Sequence, residues 1–289
     1  MQNLIAWGLL LYGAGYAAIM LYRLWRQREE LQWERGTFFP VSLAEAAVYF
    51  LTTMGFPDYL LNTVIFRGCG WVEDRRLPAT LVTAAVFPGA LIAFMYLRNG
   101  ELLDLPTLLI CAAANAAGSM MGARQMTRMD GNTIRNIMGG AMVASMGALL
   151  FKMVVSAGAA GTAAGLSPVQ LCIAVPIIFF LGWINMFGVP MKPPAVALFL
   201  LLGMSPMSTL TLMLAMGVVS PMAGGIRVLR TGIYQKKIAL YALPSATVGA
   251  LLGSCFTVTL HPAVLNGILL AIMAGTAISM LRPQGRKNS

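Results

Sequence analysis

The chain repeats itself at a spacing of about 133 residues, and each copy holds an apolar segment interrupted by glycine and proline. Gly55-Phe56-Pro57 followed by Phe66 recurs as Gly188-Val189-Pro190 followed by Phe199. Pro88 matches Pro221, and the run Gly118-Ser119-Met120-Met121-Gly122 matches Gly249-Ala250-Leu251-Leu252-Gly253. A duplication of this kind restricts the fold to two halves built alike. A break in the middle of an apolar segment of each half is the pattern of secondary transporters, whose sites lie where two broken helices meet.

Apolar residues make up 58% of the chain and charged residues 10%, with a mean hydropathy of +0.76. A soluble globular chain carries roughly a quarter charged residues. Apolar runs at 4–21, 78–97, 107–123, 134–151, 207–226, 238–258 and 263–280 therefore read as bilayer spans. The run at 4–21 has its basic cluster (Arg23, Arg26, Arg28, Arg35) after it and no A-x-A-like cleavage site. It reads as a retained helix, not a signal peptide. The broken segments, 42–66 and 169–202, stand apart from these spans.

Charge decides whether the broken segments cross or return. If both cross, 13 lysines and arginines fall on one side and 6 on the other; if both return, the split becomes 17 to 2, with Lys192 at a hairpin tip. The positive-inside rule favours the return. Residues 169–187 alone are long enough to span, so hydropathy leaves a crossing open there. The expected fold is an all-α polytopic membrane protein of two inverted repeats. Each repeat is a broken re-entrant helical hairpin plus three spans, an odd number of crossings that inverts the second copy, and one extra N-terminal helix precedes them. The units are 1–40 (N-terminal helix and basic cytoplasmic loop), 41–155 (repeat 1), 168–282 (repeat 2) and 283–289 (basic cytoplasmic tail), with the N-terminus outside.

The net charge of +10 does not point to nucleic acid. The basic residues lie in short loops between spans, where they fix orientation and meet anionic lipid. The only histidine, His261, excludes a multi-histidine metal site; Cys69, Cys111, Cys172 and Cys255 form no C-x-x-C pair. The 21 methionines read as packing filler rather than a path for a soft metal. No Walker-type phosphate loop occurs. Enzyme chemistry, a cofactor and a resident metal are not expected.

Charges inside apolar segments are costly and usually face a partner or a polar cavity. Asp58 directly follows Pro57 and Lys192 lies two residues after Pro190, so the two repeats place opposite charges near equivalent tips. Lys192 is the candidate anion holder; Asp58 either pairs with it in the empty site or exchanges a proton, and a purely structural ion pair is the alternative. A new short helix starts after each break, at Tyr59 and at Pro193, and its free N–H groups suit an oxyanion. Gly55 and Gly188, at the breaks, are counted among the candidate substrate-binding residues. Thr52, Thr53 and Asn185 are candidate donors, or they satisfy carbonyls freed at the breaks. Asn115 either lines the path or bonds across helices. Glu45 lies in the first turn of the segment's opening helix and is expected at the interface. The Gly-x-x-x-Gly runs permit close helix packing.

These features resemble the sulfite exporter TauE/SafE family, the four-plus-four helix sulfite and organosulfonate permeases. The similarity spans roughly residues 43–282. It rests on the duplicated Gly-x-Pro segments, on 106–124 with its Ala-Gly-Ser-Met-Met-Gly-Ala-Arg ending followed by Thr133-Ile134-Arg135, and on the second-half match at 249–253. Where members show a glycine-rich run before the proline, each repeat here keeps one glycine. The resemblance implies movement of small sulfur oxyanions or organosulfonates across the bacterial inner membrane without ATP. The expected function is a secondary transporter working by alternating access. Its partners are a small anionic substrate, membrane lipid and a proton or other coupling ion, and a homodimer is compatible with the sequence. A non-transporting assembly factor or scaffold is the alternative.

Overall fold

Eleven helices carry the protein, a computed structural model that describes residues 2–29, 31, 34, 36–54, 56–99, 104–155, 161–255 and 262–281. They are α1 (Gln2–Arg26), α2 (Phe38–Thr53), α3 (Asp58–Gly68), α4 (Leu77–Asn99), α5 (Leu105–Met126), α6 (Gly131–Val155), α7 (Pro168–Asn185), α8 (Lys192–Leu201), α9 (Pro206–Thr231), α10 (Lys236–Cys255) and α11 (Pro262–Leu281). Six of them, α1, α4, α5, α7, α9 and α10, are long and apolar enough to cross a bilayer. Leu11, Ile19, Leu109, Val169, Phe180 and Val248 are exposed on these helices, and a surface so apolar belongs in lipid. The protein is a multi-pass transmembrane protein, all-helical among the described residues. Gly55, His261 and the basic tail at 283–289 lie outside the described residues.

Local chemistry sets the helix ends. The Asp104 carboxylate accepts from Thr107 N–H at 3.0 Å to start α5, Ser205 caps α9, and Ser167 with Gln170 forms a capping box on α7. Gly232, in the left-handed region at φ +68°, ends α9. The helices after the breaks begin one residue earlier than the sequence suggested, so Asp58 and Lys192 are themselves the first helical residues of α3 and α8.

Both short helix pairs close at their bases. Gln170 Nε2, at the start of α7, donates to Leu202 O at the end of α8 at 2.8 Å. Just outside them Ser205 N–H donates to Ala163 O at 2.8 Å. In the first half Arg76 Nη1, beyond α3, lies 3.6 Å from Glu34 Oε1, ahead of α2. The α9–α10 loop joins that base: Arg76 donates to Gln235, and Lys237 N–H donates to Glu34 Oε2 at 2.7 Å. The start of α5 joins the other base, with Leu166 N–H donating to Thr107 Oγ1 at 2.9 Å. Helix α4 runs from the first base to the second, 23 residues or about 34 Å at 1.5 Å per residue.

Packing repeats with the same offset as the sequence. Gly118 and Gly122 of α5 lie against the backbone of Phe179 and Trp183 on α7, while Gly249 and Gly253 of α10 lie against Ala46 and Phe50 on α2. The partners, Ala46 with Phe179 and Phe50 with Trp183, are 133 residues apart, the spacing of the sequence repeat. Helices α4 and α9, with Pro88 and Pro221 in their interiors, pack on each other, and α6 packs on α11. Helix α1 lies outside this arrangement along α4 and α9. Its Tyr12 hydroxyl donates to Met222 O at 2.8 Å and its Arg23 guanidinium to Leu229 O at 2.6 Å.

Candidate functional site

The tips of the two helix pairs meet at a cavity between α4 and α9. Tyr49, Thr52, Pro57 and Asp58 line it from the first half, and Asn185, Pro190 and Lys192 from the second. The space open to the centre of a water-sized sphere is about 40 Å³, room for roughly three waters at 10–15 Å³ each. Gly89 and Gly217, which lack side chains, help keep it open.

Lys192 Nζ lies 3.6 Å from Asp58 Oδ1, and the Tyr49 hydroxyl donates to Asp58 Oδ2 at 3.4 Å. The side chains are 23% and 15% exposed, all of it inside a membrane protein, so both face the cavity rather than a packed core. The ends of α3 and α8 differ in what they offer an anion. The first turn of α3 has free N–H groups, but its own Asp58 carboxylate occupies the position they favour. Helix α8 opens Lys192-Pro193-Pro194, and proline carries no N–H. Two half-helix amide clusters aimed at one anion are therefore not what these residues build. On the α8 side the positive group is the ammonium of Lys192, held at a helix end whose dipole disfavours a cation.

The other expected residues divide between the cavity and the scaffold. Thr52 lines the cavity and donates its hydroxyl to Val48 O at 2.9 Å. Thr53, one residue on and turned by about 100°, bonds Phe50 O at 2.7 Å and faces Gly253 of α10, away from the cavity. Asn185 lines the cavity with its amide fixed: Nδ2 donates to Val189 O at 3.2 Å and Oδ1 accepts from Ser220 at 3.1 Å. Ser220 is 2.7 Å from Ser119, which donates to Asn115 O at 2.7 Å. Asn115 is not in the cavity wall; its Nδ2 bonds across helices to Met216 O at 2.7 Å. Gly188 makes the α7–α8 turn at φ +81°, where a Cβ would press on Leu81 and Met138 at 3.0 Å. It shapes the break and does not touch the cavity.

Three polar residues were missed or misplaced by sequence reasoning. Tyr49 holds Asp58. Glu45, expected at the interface, is fully buried, and Asn62 Nδ2 reaches its Oε2 at 3.4 Å across the α2–α3 pair. Helix α2 starts at Phe38, a turn before the apolar run, so Glu45 lies in its second turn rather than its first. The available signal was helical spacing: Ser42, Glu45 and Tyr49 on one helix, and Tyr59, Asn62 and Thr63 on the next.

The chain matches no family model, no curated protein and no solved structure.

Proposed function

We propose that this protein is a secondary transporter for a small anion, a sulfur oxyanion or organosulfonate, in the bacterial inner membrane. The observation that carries the reading is Lys192, a lysine at a chain break in the middle of a membrane protein, paired with an acid from the equivalent break of the other half inside a small cavity. Intramembrane charges mark substrate paths more often than structure. A cation at a helix N-terminus runs against local preference, which is expected where function overrides stability. The cavity volume favours a compact anion of sulfite size.

The mechanism follows from charge balance. In the empty site Asp58 neutralises Lys192. An incoming anion takes Asp58's place at the ammonium, and Thr52 and the fixed amide of Asn185 flank it. Alternating access then rocks the two halves about this point. Supporting that scheme, α2–α3 and α7–α8 each leave beside the place they entered, and their bases stand at opposite ends of α4. This arrangement fits two re-entrant hairpins in inverted repeats, and the basic side of the chain is then cytoplasmic, with the N-terminus outside. The similarity to TauE/SafE permeases points to the same substrate class.

Uptake of radiolabelled sulfite into proteoliposomes tests the function, since a scaffold or assembly factor moves none. Labelling tests the topology. With Cys69, Cys111, Cys172 and Cys255 replaced, Arg75→Cys and Arg128→Cys are expected to react only from the cytoplasmic side, because Arg75 abuts Gly131 at the start of α6. Thr162→Cys, at the other base, is expected to react only from outside. Labelling of Arg75→Cys or Arg128→Cys from outside would restore full crossings of the broken segments and remove the inverted repeat.

A further inference from the structure

We infer that Glu45 and Asn62 form an intramembrane proton-binding site, one helical turn behind the cavity, and that its proton is the one coupled to anion movement. Glu45 is 0% exposed and Asn62 2%. They meet once, Asn62 Nδ2 to Glu45 Oε2 at 3.4 Å. The remaining oxygen of each group, Glu45 Oε1 and Asn62 Oδ1, is buried without a hydrogen-bond partner. A carboxylate and an amide oxygen are both acceptors, so neither can serve the other. A single proton on Glu45 changes this: the acid O–H donates to Asn62 Oδ1 while Asn62 Nδ2 donates to Oε2, and both orphaned oxygens are satisfied together. Turning the amide by half a rotation leads to the same place, because two acceptors would then stand 3.4 Å apart and again need a proton between them.

The charges around Glu45 favour the neutral acid. Helix α3 presents Asp58 one turn before Asn62, already held by Lys192 and Tyr49, and the phenol of Tyr59. Helix α2 itself adds Tyr49. Helix α10, packed along α2, carries its charges only at Lys236 and Lys237, at its start beside Glu34, and its Tyr241 rests on Phe38. Helix α11 has no ionisable side chain between 262 and 281. An ionised Glu45 would thus be a buried charge without a cation, which proteins avoid by holding the proton. Ser42 Oγ, three residues before Glu45 on α2, and Thr63 Oγ1, which follows Asn62 on α3, are also buried without partners. Tyr49, four residues after Glu45, bonds Asp58 and so ties this site to the cavity. When an anion displaces Asp58 from Lys192, the freed carboxylate becomes an acceptor for the proton stored behind it: the Glu45 O–H bond breaks, the Asp58 O–H bond forms, and a proton taken up from water at the base of the helix pair restores neutral Glu45, so that one proton enters the site with each anion.

The proton site stands on the buried pair alone; its coupling role rests on the transport reading above. Infrared difference spectra at neutral pH test the first part. The carbonyl band of a protonated carboxylic acid is expected in the wild type and in Asp58→Asn, and its loss in Glu45→Gln, with a shifted band in Asn62→Leu. Absence of the band in the wild type, or its survival in Glu45→Gln, overturns the site. So does stabilisation by sodium ions that Glu45→Gln abolishes, which would make the cluster a metal-cation site. An unchanged melting temperature in Glu45→Gln shows that the fold is kept. In proteoliposomes, sulfite flux through the wild type is expected to respond to an imposed proton gradient and flux through Glu45→Gln to lose that response. An equal response in both overturns the coupling role. If the wild type moves no sulfite, the transport reading fails while the infrared measurement still decides the proton site.

Discussion

Lys192→Met is expected to abolish sulfite-dependent stabilisation and transport while leaving a folded protein. Among the residues lining the cavity Lys192 supplies the only ammonium, and Pro193 and Pro194 remove the backbone donors that might have replaced it. Truncating one member of a desolvated charge pair costs about 2–5 kcal/mol, or roughly 30-fold or more in affinity. Methionine keeps the length of the side chain, so the cavity walls stay filled. Asp58→Asn is expected to act in the opposite sense. It removes the group with which an anion must compete, and for a partly exposed pair that is worth about 1 kcal/mol, close to a fivefold gain in anion affinity. A purely structural ion pair gives another pattern: both single substitutions lower the melting temperature by leaving a charge unpaired, and the double substitution restores it. Sulfite titrations followed by thermal melting on both single variants and the double variant separate the two. Full transport by Lys192→Met would end the anion-site reading.

Much of this arrangement was legible because duplication and hydropathy are properties of the chain itself. The repeat placed the breaks before Asp58 and around Pro190, and the apolar runs placed the long helices within a few residues of their observed bounds. The meeting of Asp58 with Lys192 followed from setting equivalent tips opposite each other. What could not be read was the side-chain direction at a break. Thr52 and Thr53 are equally plausible as a pair, and only the phase of α2 sends one to the cavity and the other to α10. Asn115 and Asn185 likewise look alike in sequence. Their partners, Met216 and Ser220, are brought up by α9 from the second half, and no local pattern encodes that. The burial of Glu45 was not read because hydropathy marks where an apolar run begins, and α2 begins a turn earlier and packs Glu45 against α3. The consequence of Pro193-Pro194 was open to inspection, since the missing N–H groups are a matter of residue type, but it matters only once Lys192 is known to open the helix.

Gly118→Leu and Gly253→Leu are expected to prevent folding to a stable state. A Cβ at Gly118 would stand 2.9 Å from the Phe179 carbonyl carbon, and one at Gly253 2.9 Å from Phe50 O. These are backbone atoms of α7 and α2, and backbone inside a helix cannot step aside as a side-chain tip can. Overpacking costs typically 1–3 kcal/mol where side chains can adjust, so about 3 kcal/mol or more is expected here, read as loss of a cooperative melting transition and of monodisperse elution. Ala117→Leu, on an exposed face, and Ser254→Leu, half-buried, are the matched controls and are expected to fold. The same contact in both halves predicts the same failure from either glycine, and a harmless Gly253→Leu would mean that α10 does not hold α2 as α5 holds α7. The damage bears on the site as well as on stability. Asn185 lies two residues after Trp183 and Thr52 two after Phe50, so the glycine contacts clamp each broken helix just before its last residues reach the cavity. Gly118→Ala and Gly253→Ala make the same Cβ contact without the bulk beyond it, so they are expected to destabilise less than leucine, folding with a lowered melting temperature and a weaker sulfite affinity. A loss of stability without any change in affinity would separate the clamp from the site.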